Sequence, residues 1–157
     1  MGTFKDGIFA GLKAGIIYFI IASIINTFII YIFITEIATA YGYQATSKNL
    51  SILFTILVVT TIRDIFILGL LFGVLFSILL LKYYEILPRN SLDGKIKFMV
   101  IAYWVIFFVV IEADSLGIAI EGAVFYFIAY IVANFLLAII FGNLLKKYNG
   151  KFIAQSS

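Results

Sequence analysis

Catalysis and proton transfer need side chains that ionise or attack, and this 157-residue chain offers few of them. It has no His and no Cys. Their absence removes disulfides, thiolate nucleophiles, His-ligated haem, Cys-bound iron–sulfur clusters and most zinc sites. The commonest general base and the usual nucleophile–base pairs go with them. Of the eight Asp and Glu, five fall at the end away from the basic clusters, Glu36, Asp64, Glu112, Asp114 and Glu121, with Arg63 beside Asp64. Carboxylates from several helices around one basic side chain can bind a cation or pass protons. Glu112 and Glu121 stand out because each is embedded in apolar sequence. The plainer reading of the same residues is an interfacial ion-pair cluster that closes one end of a bundle. Residue types alone would permit an oxygen-ligand metal site, but no spacing supports one.

The elements that must position these residues are membrane helices. The chain is 64% hydrophobic and 12% charged, whereas an ordinary soluble domain is about 25% charged. A crossing takes about 20 apolar residues, so four crossings with short loops consume nearly the whole chain. Nine of the eleven Lys and Arg fall in three clusters: Lys5 and Lys13, then Lys82 to Lys97, then Lys146 to Lys151. Basic residues stay with cytoplasmic loops, so an even number of crossings with both termini inside places every cluster on one side. The expected fold is an all-α polytopic membrane bundle of four transmembrane helices in one domain, residues 1–157. Its spans lie at about 14–35, 65–81, 98–112 and 118–145. The +3 net charge is then a positive-inside excess rather than a nucleic-acid signal. The bias toward Ile, Phe, Tyr and Lys suggests an AT-rich, archaeal genome.

Two stretches carry alternatives. The first span, preceded by basic residues and followed by Ala38-Thr39-Ala40, has some marks of a cleaved signal peptide. Its apolar run is longer than the roughly 7–15 residues of a signal core, and it reads as a retained anchor. The stretch from Leu50 to Leu81 is longer than one crossing requires, and Arg63-Asp64 interrupts it. In one reading Leu50 to Ile62 is an extra half-length apolar helix that does not span, and Arg63-Asp64 sits at the outer interface. In the other, one long helix carries both charges within the bilayer, where they must be paired and shielded. The first is the reading preferred from sequence.

Packing signals are clearer than chemical ones. Gly7, Gly11 and Gly15, and then Gly69, Gly73 and Ser77, recur every fourth residue. That spacing puts small residues on one helix face, where a second helix can approach closely. The face serves either packing inside the bundle or association with a partner. Asn26 and Asn134 each fall inside a predicted span, where an amide needs a partner, and the two can bond each other between the first and fourth helices. Lys5-Asp6, Gly11 and Gly15 also align without gaps on Arg63-Asp64, Gly69 and Gly73. With the topology above the two copies run in opposite directions, as in the inverted repeats of transporters.

The run Gly69-Leu70-Leu71-Phe72-Gly73, followed by Leu87-Pro88, Gly94 and Trp104, resembles small four-helix prokaryotic membrane proteins of the YagU-like type. Those are largely uncharacterised, so the resemblance implies a fold and no activity. The function expected is that of a non-catalytic subunit in the cell membrane, without cofactor or resident metal. It packs by small-residue helix faces with itself or with other membrane subunits. The alternative is an ion or small-molecule transporter or channel that uses the outer carboxylates.

Overall fold

The structure is a computed structural model and describes residues 3–109, 117 and 120–154. Among these residues it is all helical, with four α-helices: α1 (Phe4–Ala40), α2 (Ser47–Lys82), α3 (Leu92–Phe107) and α4 (Val124–Ala154). A short 3-10 turn, Tyr84–Ile86, lies between α2 and α3. The helices α1, α2 and α4 are each long and apolar enough to cross a membrane. Of α3, sixteen residues are described.

Local chemistry sets the helix starts. Thr3 and Asp6 form a capping box: the Asp6 N–H donates to Thr3 Oγ1 at 3.2 Å and the Thr3 N–H donates to Asp6 Oδ2 at 2.7 Å. Two of the N–H groups that a helix start leaves without partners are thereby satisfied. Thr46 caps α2 through the Asn49 N–H, and Ser91 caps α3 through the Gly94 N–H. The α1 helix stops at Tyr41-Gly42, where Gly42 takes φ +72°, a left-handed conformation that costs glycine little.

The antiparallel pair α1–α2 is the main packing unit. The backbones come closest where Gly11 meets Gly73 and Gly15 meets Gly69; a Cβ on Gly15 would lie 2.6 Å from the Gly69 carbonyl oxygen. Further along, Phe19 packs on Phe66 and Tyr31 on Phe54, with ring centroids 5.2 and 6.2 Å apart. The helices therefore stay paired over most of their lengths. The α4 helix packs along α1, and α3 packs against α4, where Gly142 leaves room for Val100 and Ile96. All four helices meet in an aromatic centre of Tyr18, Phe72, Tyr103 and Phe141. The Tyr18 ring lies 4.6 Å from that of Phe141 and 5.5 Å from that of Tyr103, which is itself 5.5 Å from Phe72.

Several sequence boundaries change. The segment 50–62 is not a separate half-length helix: it forms the N-terminal half of α2, continuous with 65–81. No glycine or proline lies between Ser47 and Gly69 to break it, and Arg63 and Asp64 pair with one another without leaving the helix. The helices also run past the predicted spans, α1 beginning at Phe4 and α4 reaching Ala154. At its other end the described part of α4 begins at Val124, after a turn in which Gly122 has φ +124°; the expected start at 118 lies outside the described residues.

Candidate functional site

Among the described residues, Arg63-Asp64 and Glu36 do not stand together. Phe66 faces Phe19, so Arg63-Asp64, one turn earlier on α2, stands level with Ala22 on α1. Glu36 is about 20 Å farther along α1 at 1.5 Å per residue. The physical reason is register. The glycine crossing fixes α2 against α1 so that the start of α2, not its middle, lies beside Glu36. Glu112 and Asp114 fall outside the described residues.

Each placed charge has its own local arrangement. The Arg63 Nε–H donates to Asp64 Oδ1 at 2.8 Å. The pair is open to the surroundings, with side-chain exposures of 63% and 30%. Glu36 Oε1 accepts the backbone N–H groups of Phe125 at 3.0 Å and Tyr126 at 3.3 Å. A carboxylate from α1 thus caps the positive N-terminal end of α4. Glu121 lies exposed in the turn before α4. Among the described residues no group of three or more acidic side chains is arranged to hold a metal ion.

Polar groups in the interior link helices. Asn26 Nδ2 donates to Asn134 Oδ1 at 3.3 Å, and Asn134 Nδ2 donates back to Asn26 Oδ1 at 3.1 Å. Each amide also donates to the carbonyl one turn earlier, Ala22 or Tyr130. The Tyr103 hydroxyl donates to the Tyr18 hydroxyl at 3.0 Å. Ser77, on the glycine face of α2, accepts from Asn149 Nδ2 at 2.9 Å, and both side chains are fully buried. The two small-residue faces are turned against each other within one chain, Gly7 meeting Ile78, Gly11 meeting Gly73 and Gly15 meeting Gly69.

Two contributors are not evident in the sequence. Lys95 belongs to a basic loop cluster, yet it is only 3% exposed. Its Nζ donates to the carbonyls of Tyr84 at 2.7 Å and Leu87 at 2.9 Å and stands 4.3 Å from the Tyr84 ring centre. It therefore closes the turn between α2 and α3. Asn149 follows Lys146-Lys147 in what reads as a polar end, and its burial against Ser77 comes only from the docking of α4. At the same end Lys146 Nζ meets Asp93 Oδ1 at 2.6 Å, and the Lys146 ammonium holds the Asp93 carboxyl below its ordinary range. The Asp6 carboxyl is likewise held low by its bonds to the Thr3 side chain and backbone.

No protein-family model, curated protein or solved structure matches this chain.

Proposed function

We propose that this chain is a non-catalytic integral membrane subunit. It crosses the cell membrane four times with both termini on the cytoplasmic side, and it assembles with itself or with a larger membrane complex. The observation that carries this reading is where its interior polar chemistry goes. Asn26 with Asn134, Tyr18 with Tyr103, and Ser77 with Asn149 bond across helices, and Lys95 closes a loop. Groups spent in this way hold a bundle together.

The membrane placement draws on how charges line up between helices. Tyr18 packs on Phe141, and a groove lined by Lys13, Lys147 and Tyr148 joins α1 to α4. Lys13 and Lys147 therefore stand near one level, with Lys146 adjacent in sequence. Glu36 and the N-terminus of α4 mark another level at the far end. Between them α1 and α4 carry no charge, over a length close to the roughly 30 Å of a hydrocarbon core.

The glycine faces pack inside the chain, so association must use another surface. The transport alternative draws on a joint site of Arg63, Asp64 and the outer carboxylates. Among the described residues, the separation of that pair from Glu36 and the use of Glu36 as a helix cap do not favour it.

Native mass spectrometry of the protein extracted gently from its own membrane tests the reading. A homo-oligomer, or other subunits at fixed stoichiometry, is the expected result. A folded protein that is strictly monomeric and brings nothing with it would overturn the proposal.

A further inference from the structure

Between Lys13 and Glu36 α1 is uncharged, and Arg63-Asp64 stands beside that stretch, level with Ala22. At 1.5 Å per residue this is about 14 Å inside the edge marked by Lys13. Moving the slab until the pair reached its outer surface would bring Lys13, Lys146 and Lys147 into hydrocarbon instead. A long arginine side chain can reach some way toward a headgroup, but the short Asp64 cannot.

The pair is also incompletely satisfied. A guanidinium has five N–H donors, and among the described residues Arg63 uses one, its Nε–H, on Asp64 Oδ1. Its side chain lies 63% open on an α2 stripe otherwise formed by exposed Ile52, Ile56, Val59, Ile67 and Leu71. Lipid suits that apolar stripe. It does not suit a charged pair with unused donors and acceptors, because ionisable groups at membrane depth face protein or a water-filled cavity.

The charge pattern specifies what covers it. Arg63 and Asp64 are sequence neighbours of opposite sign at almost one depth. A second copy shares the membrane orientation and is related by a two-fold axis along the membrane normal. That operation sets Arg63 of one copy opposite Asp64 of the other, and the reverse, in an isologous contact. A net-neutral ring of two guanidinium and two carboxylate groups results. We infer that the chain forms a parallel homodimer through the exposed α2 stripe, locked at mid-membrane by reciprocal Arg63–Asp64 ion pairs. The inference rests on the membrane-subunit reading and names its partner.

The chain has no cysteine, so Val59→Cys, one turn before Arg63 on the stripe, is a unique cross-linking position in native membranes. Ile101→Cys, exposed on α3, is the control. Val59→Cys should yield a disulfide-linked dimer on oxidation, and Ile101→Cys should not. In the Val59→Cys background, Arg63→Asp or Asp64→Arg alone should lower the dimer at least about tenfold, the scale expected when a desolvated charge loses its partner. Co-expressing the two variants should restore it, because one carries two acidic and the other two basic side chains at these positions. The double exchange R63D/D64R within one chain should restore it as well, and this guards against a single variant that merely misfolds.

Cross-linking unaffected by either reversal, or restored by neither combination, would overturn the inference. Cross-linking of Val59→Cys only to a different protein would end the homodimer and leave the subunit reading standing. A protein monomeric both here and in native mass spectrometry would end both.

Discussion

Asn26 of α1 and Asn134 of α4 form a closed amide pair, each donating to the other's side-chain oxygen at 3.3 and 3.1 Å and to its own helix one turn back. Both side chains are buried, at 0% and 3% exposure. The two helices are thereby held in one register at the midpoint of their contact. Both Nδ2 groups and both Oδ1 atoms are engaged within the bundle, which is why the pair reads as structure rather than as a ligand site.

Asn26→Leu and Asn134→Leu should each destabilise the folded bundle, because each leaves one buried amide without its partner, at about 1–3 kcal/mol. The double variant should cost less than the sum of the singles. A coupling of about 0.6–1.7 kcal/mol is expected for a hydrogen bond between membrane helices. Reversible unfolding in mixed micelles, run as a double-mutant cycle, measures it. Strict additivity would show that the amides do not support each other.

The α1–α2 crossing gives a graded series. A methyl group on Gly11 would run into the Gly73 carbonyl and the Val74 Cα, whereas one on Gly7 meets its nearest atoms, on Ile78, at 3.2 Å. Both positions meet backbone, so the closer approach at Gly11 decides the difference. Gly11→Ala should therefore cost about 1–3 kcal/mol by forcing the helices apart, and Gly7→Ala clearly less. Equal losses at the two positions, by the same unfolding measurement, would mean that the helices do not touch at Gly11.

Lys95→Met should act locally. It removes the ammonium that ties the Tyr84 and Leu87 carbonyls together; Tyr84 keeps only the longer bond from the Leu87 N–H at 3.3 Å, so the turn after α2 should open. Proteolysis and amide hydrogen exchange across residues 83–91 should rise, while α1 and α4 keep their protection. Unchanged protection in this segment would show that the ammonium does not hold it.

The apolar stretches, the glycine face and the possible Asn26–Asn134 partnership could all be read in the sequence because each depends on residue type and helical spacing. The level of Arg63-Asp64 could not. It follows from register, which the Gly11–Gly73 and Gly15–Gly69 contacts fix between residues far apart in the chain. Two adjacent charges look like the end of a span when only hydropathy is considered. Once they pair with each other, the helix passes through them. Lys95 was hidden for a related reason. Nothing in its sequence surroundings separates it from the basic residues nearby, and its burial arises only when the 3-10 turn aims two carbonyls at one point.

The response to acid should separate two contacts at the end of the bundle where α1 and α3 begin. Asp93 is held below its ordinary range first by its bond and charge interaction with Lys146, and Asp6 first by its bonds to Thr3. A carboxyl depressed on folding contributes stability that is fully present above its unfolded value of about 3.9 and is lost as the pH falls through the lower folded value. Both contributions should therefore be intact at neutral pH and fade only below about pH 4. Salt should distinguish them. The exposed Asp93–Lys146 pair is screened by added salt, so the Asp93 titration should move back toward its ordinary value. The Asp6 titration should move little, because short hydrogen bonds to Thr3 rather than a distant charge dominate it. Carboxyl chemical shifts followed by NMR against pH, at low and high salt, report both residues in one experiment. An Asp93 titration that ignores salt would show that the Lys146 contact does not persist in solution.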